Sequence, residues 1–183
     1  ITNIDDIIKY DKTHTDKIIP KILKILSESK YPDSLLIQRA ITEIENGNLC
    51  GRVLEIGAAP GKYLSYFYEN GLDISGLEYS EVGIEALKLN FAKLDIGKYE
   101  LIEGDLFKIK ATEKFDVVMS FGFIEHFDDV DEVIRHHLAW LKPGGTLILG
   151  VPVFKNLHGW LQRLLDKRVI DLHNIDIMNL DFF

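Results

Sequence analysis

The chain has 183 residues, with 21 Lys+Arg against 29 Asp+Glu and a formal net charge of −8. That balance disfavours a polyanion as the default partner. With 46% hydrophobic and 27% charged residues, disordered, collagen-like and membrane-spanning classes are excluded, and the length suits one domain of roughly 100–200 residues.

In chain order, Ile18–Leu26 and Leu35–Glu45 read as amphipathic helices broken by Tyr31-Pro32-Asp33, so residues 1–50 are expected to form a helical N-terminal appendage. Cys50 stands alone, which rules out an internal disulfide or a cysteine metal cage; it reads as a small, half-buried hydrophobe in a reducing compartment. No apolar run approaches the roughly 20 residues of a membrane helix, and no secretory pattern opens the chain. Cytoplasm is the expected location. Residues 51–150 then hold 10 basic against 17 acidic side chains, so the acidity is concentrated there. This segment alternates strands expected at Arg52–Ile56, Asp73–Glu78, Tyr99–Glu103, Phe115–Ser120 and Thr146–Val151 with helices at Lys62–Asn70, Ser80–Leu94 and Val130–Leu141. Val130, Val133, Ile134, Leu138 and Leu141 recur at helical spacing, and Lys142-Pro143-Gly144-Gly145 stops that helix. The pattern implies βαβ units, a parallel sheet and helices on both faces. Residues 51–183 are read as its domain.

The loop after the first strand carries the chemistry. Glu55-Ile56-Gly57-Ala58-Ala59-Pro60-Gly61 passes from strand to helix through small residues, which let backbone N–H groups approach a ligand at a helix N-terminus. The spacing matches neither a dinucleotide fingerprint nor a phosphate-binding P-loop. What remains is acidic-x-Gly-x-small-x-Gly. Here the chain resembles the class I methyltransferases that use S-adenosylmethionine, with Ala59 in place of the family's middle glycine. Further matches follow in order: Glu78 at the end of the second strand, Gly104-Asp105-Leu106 after the third, Glu125-His126 after the fourth, and the Lys142–Gly145 turn before the fifth.

The resemblance implies a Rossmann-like α/β, doubly wound sheet in strand order 3-2-1-4-5, with the cofactor lying across the carboxyl ends of the strands. Glu55, Gly57, Ala58, Ala59 and Gly61 would hold its amino-acid part, Glu78 its ribose, and Asp105 and Leu106 its adenine. Tyr79 and Leu106 would sandwich the ring, and Phe121 would line the site. His126 is the candidate general base for a hydroxyl acceptor. His136 and His137, within a helix, read as surface or packing groups, and His14 is a minor candidate contact. No metal is expected, since Gly122 occupies the position of a metal-binding acid in quinone-type relatives. Beyond Val151, His158, Trp160, His173 and Asn174 are candidates for the acceptor side; the alternative is a helix packed on the sheet.

The function implied is methyl transfer to an oxygen, nitrogen or carbon of a small-molecule acceptor. Ala58-Ala59-Pro60-Gly61 also resembles the loop of some ribosomal-RNA 2′-O-methyltransferases, a reading the acidic core opposes. A non-catalytic cofactor-binding module is the other alternative. Ile1 and the closing Asp181-Phe182-Phe183 look cut. The family's sixth and seventh strands are not found, so strand five is expected as an unpaired edge in a truncated chain, or as an edge covered by a second copy in a homodimer.

Overall fold

The computed structural model describes residues 21–25, 42–43, 46–47 and 50–151. Among these, six strands form one parallel sheet: β1 (Lys21–Ile25), β2 (Arg52–Ile56), β3 (Asp73–Glu78), β4 (Tyr99–Glu103), β5 (Phe115–Phe121) and β6 (Leu141–Gly150). Their spatial order is β1-β6-β5-β2-β3-β4. Strands β2 to β6 therefore reproduce the expected 3-2-1-4-5 order. The order reverses beside β2, and this opens a crevice at the carboxyl ends of β2 and β5.

Among the described residues, three long helices cover the sheet: α1 (Lys62–Glu69), α2 (Glu81–Lys93) and α3 (Val130–Trp140). Alternation along each strand assigns the faces, because successive side chains point to opposite sides. Val53, Val117, Met119 and Ile148 join Leu64, Phe67, Leu87 and Phe91 under α1 and α2. Leu54, Val118, Leu147 and Leu149 join Val130, Val133, Ile134 and Trp140 under α3. Helix starts follow their sequence: Ser80 accepts from the Gly83 N–H at 3.0 Å, and Asp129 from the Glu132 N–H at 2.8 Å. Each such cap contributes about 1 kcal/mol.

Four expectations are corrected. Lys21–Ile25, read as part of a helix, is a strand that pairs parallel with β6 from Lys21↔Thr146 to Ile25↔Gly150. A short apolar run with β-branched residues fits either period, and here the unsatisfied backbone edge of β6 selects the strand. The β6 edge expected to stand open is thereby paired within the chain, which removes the reason for placing a second copy there. Lys142–Gly145, expected before strand five, lies inside β6: Phe115 pairs with Leu141 and Val117 with Thr146, so these residues bulge from the ladder. Cys50 is exposed rather than half-buried. Residues 152–183, including the acceptor-side candidates and any sixth or seventh strand, lie outside the described residues, as does His14.

Candidate functional site

The crevice is built from the turn that follows β2. Gly57 (φ +69°) and Gly61 (φ +84°) adopt left-handed backbone that side chains strain to reach. A Cβ at Gly57 would lie 2.7 Å from the Phe123 ring, and one at Gly61 within 2.6 Å of Phe91. The glycines are thus required from below, by packing, as well as for any ligand above. Leu77 at the end of β3 ties the turn down, its carbonyl accepting from the Gly57 N–H at 2.9 Å and the Ala58 N–H at 3.3 Å. Ala58 is buried and Ala59 exposed. Ala58 sits over Gly76, where a Cβ would approach the alanine methyl to 2.9 Å.

Glu78 joins this turn to the start of α2. Its carboxylate accepts from the Ser80 N–H (3.0 Å), the Ser80 hydroxyl (3.1 Å) and the Ala59 N–H (3.4 Å). Both Ser80 donors go to Oε1, while Oε2 has only the long Ala59 contact, so the carboxylate is oriented yet Oε2 keeps capacity to accept from a ligand. Tyr79, beside it, is 72% exposed.

Asp105 follows β4 on the same side of the crevice as Glu78, whose carbonyl accepts from the Gly104 N–H at 2.9 Å. It accepts from the Phe107 N–H at 3.0 Å and pairs with Lys108 at 2.9 Å. The Lys108 ammonium, followed by the Phe107 N–H, holds its carboxyl below the usual value. Leu106 is 4% exposed and belongs to the core beneath α3. Its side chain packs with that core, which leaves Tyr79 as the exposed member of the expected ring sandwich.

Glu55 points under α1. It is 2% exposed, Oε2 has no hydrogen-bond partner, and burial raises its carboxyl well above the usual value against the opposing pull of the Leu64 N–H. Beyond β5, Ile124–His126 forms one 3-10 turn. His126 is exposed there, while Glu125 turns inward.

Several contacts went unread in the sequence. Phe121 stacks on Tyr63 of α1 with ring centroids 4.1 Å apart, and a Cβ at Gly150 would strike the Phe121 ring at 2.3 Å. His137, whose packing role was expected, is fully buried: Nδ1 lies 2.8 Å from the Val133 carbonyl and Nε2 3.0 Å from the Ser120 hydroxyl. A carbonyl can only accept, so Nδ1 carries the proton and the Ser120 hydroxyl donates to Nε2. Burial pushes this imidazole down to about 4. His137 also packs edge-on against Phe123, the ring beneath Gly57. The signal was its spacing, four residues after Val133 and three after Ile134. Among the described residues, no group of three or more His, Cys, Asp or Glu side chains is placed to hold a metal ion, and no helix is long and apolar enough to cross a membrane.

The chain matches a family model described as a methyltransferase domain over residues 14–180. A ubiquinone biosynthesis O-methyltransferase from Brucella ovis is 33% identical over 100 residues, 54% of this chain and 40% of that protein. One from Rhodopseudomonas palustris is 30% identical over 99 residues, 54% of this chain and 38% of its own length. The matched segment thus spans about two-fifths of these relatives. Among solved structures, an S-adenosylmethionine-dependent methyltransferase from Clostridium acetobutylicum superposes with a TM-score of 0.60 at 16% identity, covering 73% of this chain and 55% of that one. A glycopeptide N-methyltransferase in complex with S-adenosylmethionine gives a TM-score of 0.53 at 24% identity, covering 62% and 53%. These two likenesses are of fold.

Proposed function

The chain belongs to the methyltransferase domain family, and on that premise we propose that it transfers a methyl group from S-adenosylmethionine to a small-molecule acceptor. The observation that carries the reading is Glu78: a carboxylate at the carboxyl end of β3, its Oε1 held by Ser80 and its Oε2 touched only at 3.4 Å, beside a left-handed glycine turn. A vicinal diol presents two O–H donors to such a group. The fit extends to the buried Glu55 oxygen that lacks a partner.

When bound, S-adenosylmethionine supplies an activated methyl group on a sulfonium sulfur. The protein's part is then mostly alignment. In this reading the Gly57–Gly61 turn, with Ala58 and Ala59, receives the amino-acid end, Glu78 accepts from the ribose hydroxyls, and Asp105 accepts from the adenine amino group. Tyr79 covers the nucleoside from the solvent side, and Phe121, held by Tyr63, walls the crevice toward β6. His126 takes the proton from a hydroxyl acceptor. His158, Trp160 and His173 belong to the acceptor side in this proposal, and a reducing, cytoplasmic setting suits the exposed, unpaired Cys50.

Isothermal titration with S-adenosylmethionine tests the reading. Glu78→Ala is expected to weaken binding by about 10- to 100-fold, the worth of one to two hydrogen bonds to a charged group, with little change in melting temperature. Unchanged affinity would remove Glu78 from the site. A methyl-release assay over an acceptor set then separates an enzyme from a binding module.

A further inference from the structure

Glu55 is a buried acid with no counter-charge beside it. Its carboxyl takes a hydrogen bond from the Leu64 N–H in the first turn of α1, and Oε2 takes none. Across the ladder its neighbours are Gly76 of β3 and Met119 of β5, neither of them ionisable. On β3 the nearest titratable group is Glu78, held by Ser80 and Ala59. On α1 the titratable groups near the helix start are the exposed Lys62 and the half-buried Tyr63, and the first turn contains no acid. On α2, Glu81 and Glu85 are exposed. Neither α1's own first turn nor the Gly61 cap supplies a side-chain acceptor. Glu55, reaching up from the strand, is the acid stationed at this helix start, two residues before Gly57.

An ionised carboxylate without a counter-charge is costly in such a place, and burial accordingly favours the protonated form. A cation arriving above it reverses that preference. Resting on the cofactor reading above, we propose that Glu55 holds a proton while the Gly57–Gly61 turn is empty and releases it when the ammonium group of the cofactor's amino-acid end settles there. The O–H bond of the carboxylic acid breaks, the proton passes to the buffer, and the carboxylate left behind faces an ammonium that keeps its own protons. Because the ligand selects the ionised form, affinity rises with pH until the free protein has lost the proton, by up to about tenfold per unit.

The experiment is isothermal titration in pairs of buffers with different ionisation enthalpies, between about pH 5 and 8. Wild type should release a proton on binding both S-adenosylmethionine and S-adenosylhomocysteine, because both carry the ammonium, while Glu55→Gln should release none and show an affinity that is flat with pH. Equal release from Glu55→Gln, equal release on binding 5′-methylthioadenosine, which lacks the amino-acid end, or no release from wild type anywhere in the range would overturn the proposal. If wild type binds neither cofactor form, it is the cofactor reading that fails. Should Glu55→Gln not fold, infrared difference spectra of wild type decide instead: binding should remove a protonated-carboxyl band, and a spectrum without that loss is the contrary result.

Discussion

The two ends of the sheet treat their acids differently. At the amino ends of the strands, acids meet cations: Asp116 accepts from Lys142 at 2.8 Å and from the Arg52 N–H, while the Arg52 guanidinium holds Glu100 at 2.8 Å and Glu113 at 2.6 Å. At the carboxyl ends, the hydrogen bonds of Glu78 come from neutral donors, Glu55 has a single N–H, and Asp105 pairs with a lysine, Lys108, which is itself mostly exposed. Charge neutralised by the fold leaves little for a ligand to gain, whereas an oriented carboxylate without a cation is a binding site in waiting. Side-chain chemistry thus points to the same end of the sheet as the topology.

Substitutions at the two ends sharpen this contrast. The largest effect is expected from Gly57→Val: a β-branched side chain must take up φ +69° and displace the Phe123 ring, costing roughly 1–3 kcal/mol of stability and abolishing measurable cofactor binding. Melting temperature and titration report the two losses separately, and a destabilised variant that still binds would mean the turn is packing alone. An intermediate effect is expected at His137, which is buried beneath the carboxyl end of β5 against Ser120 and Phe123. With its folded value pushed down to about 4, it stays neutral while the unfolded chain's histidine takes a proton below about 6.5. The unfolded state then binds more protons, so stability falls as pH drops from about 6.5 towards about 4, by up to about tenfold in the folding equilibrium per unit. Denaturation across that range should show a shallower slope in His137→Phe; an unchanged slope would assign it elsewhere.

The smallest change is expected at the amino end. Burial raises the Asp116 carboxyl, but the Arg52 N–H and the Lys142 ammonium outweigh it and hold the group below its usual value. Its contribution is present above the unfolded value and is lost as pH falls through the folded one. Asp116→Asn should lower the melting temperature slightly near neutrality and less in acid, leaving cofactor affinity unchanged. A loss of affinity here would break the contrast between the ends.

Much of the candidate site could be proposed from the sequence because its residues are tied to backbone events. A strand that ends in Glu55-Ile56 before Gly57 must turn, and only small residues make that turn; Glu78 ends the next strand and Asp105 follows the one after it within two residues. Side chains that reach across elements were less legible. Nothing local marks Phe123 as the ring beneath Gly57, or Gly150 as the space for Phe121, since those pairs are separated by 66 and 29 positions. Leu106 read as a ligand contact from its neighbour Asp105, and nothing local shows that its apolar side chain also packs in the core beneath α3.

By itself, the sequence determined which segments turn, which faces are apolar and therefore that a parallel sheet covered on both sides would form, because periodicity and glycine placement act over a few residues. Only the tertiary structure decided that Lys21–Ile25 becomes a strand, since its partner is the backbone edge of β6, more than a hundred residues away. The same holds for Glu55: its residue type was plain in the sequence, but its charge state depends on which groups the fold packs around it.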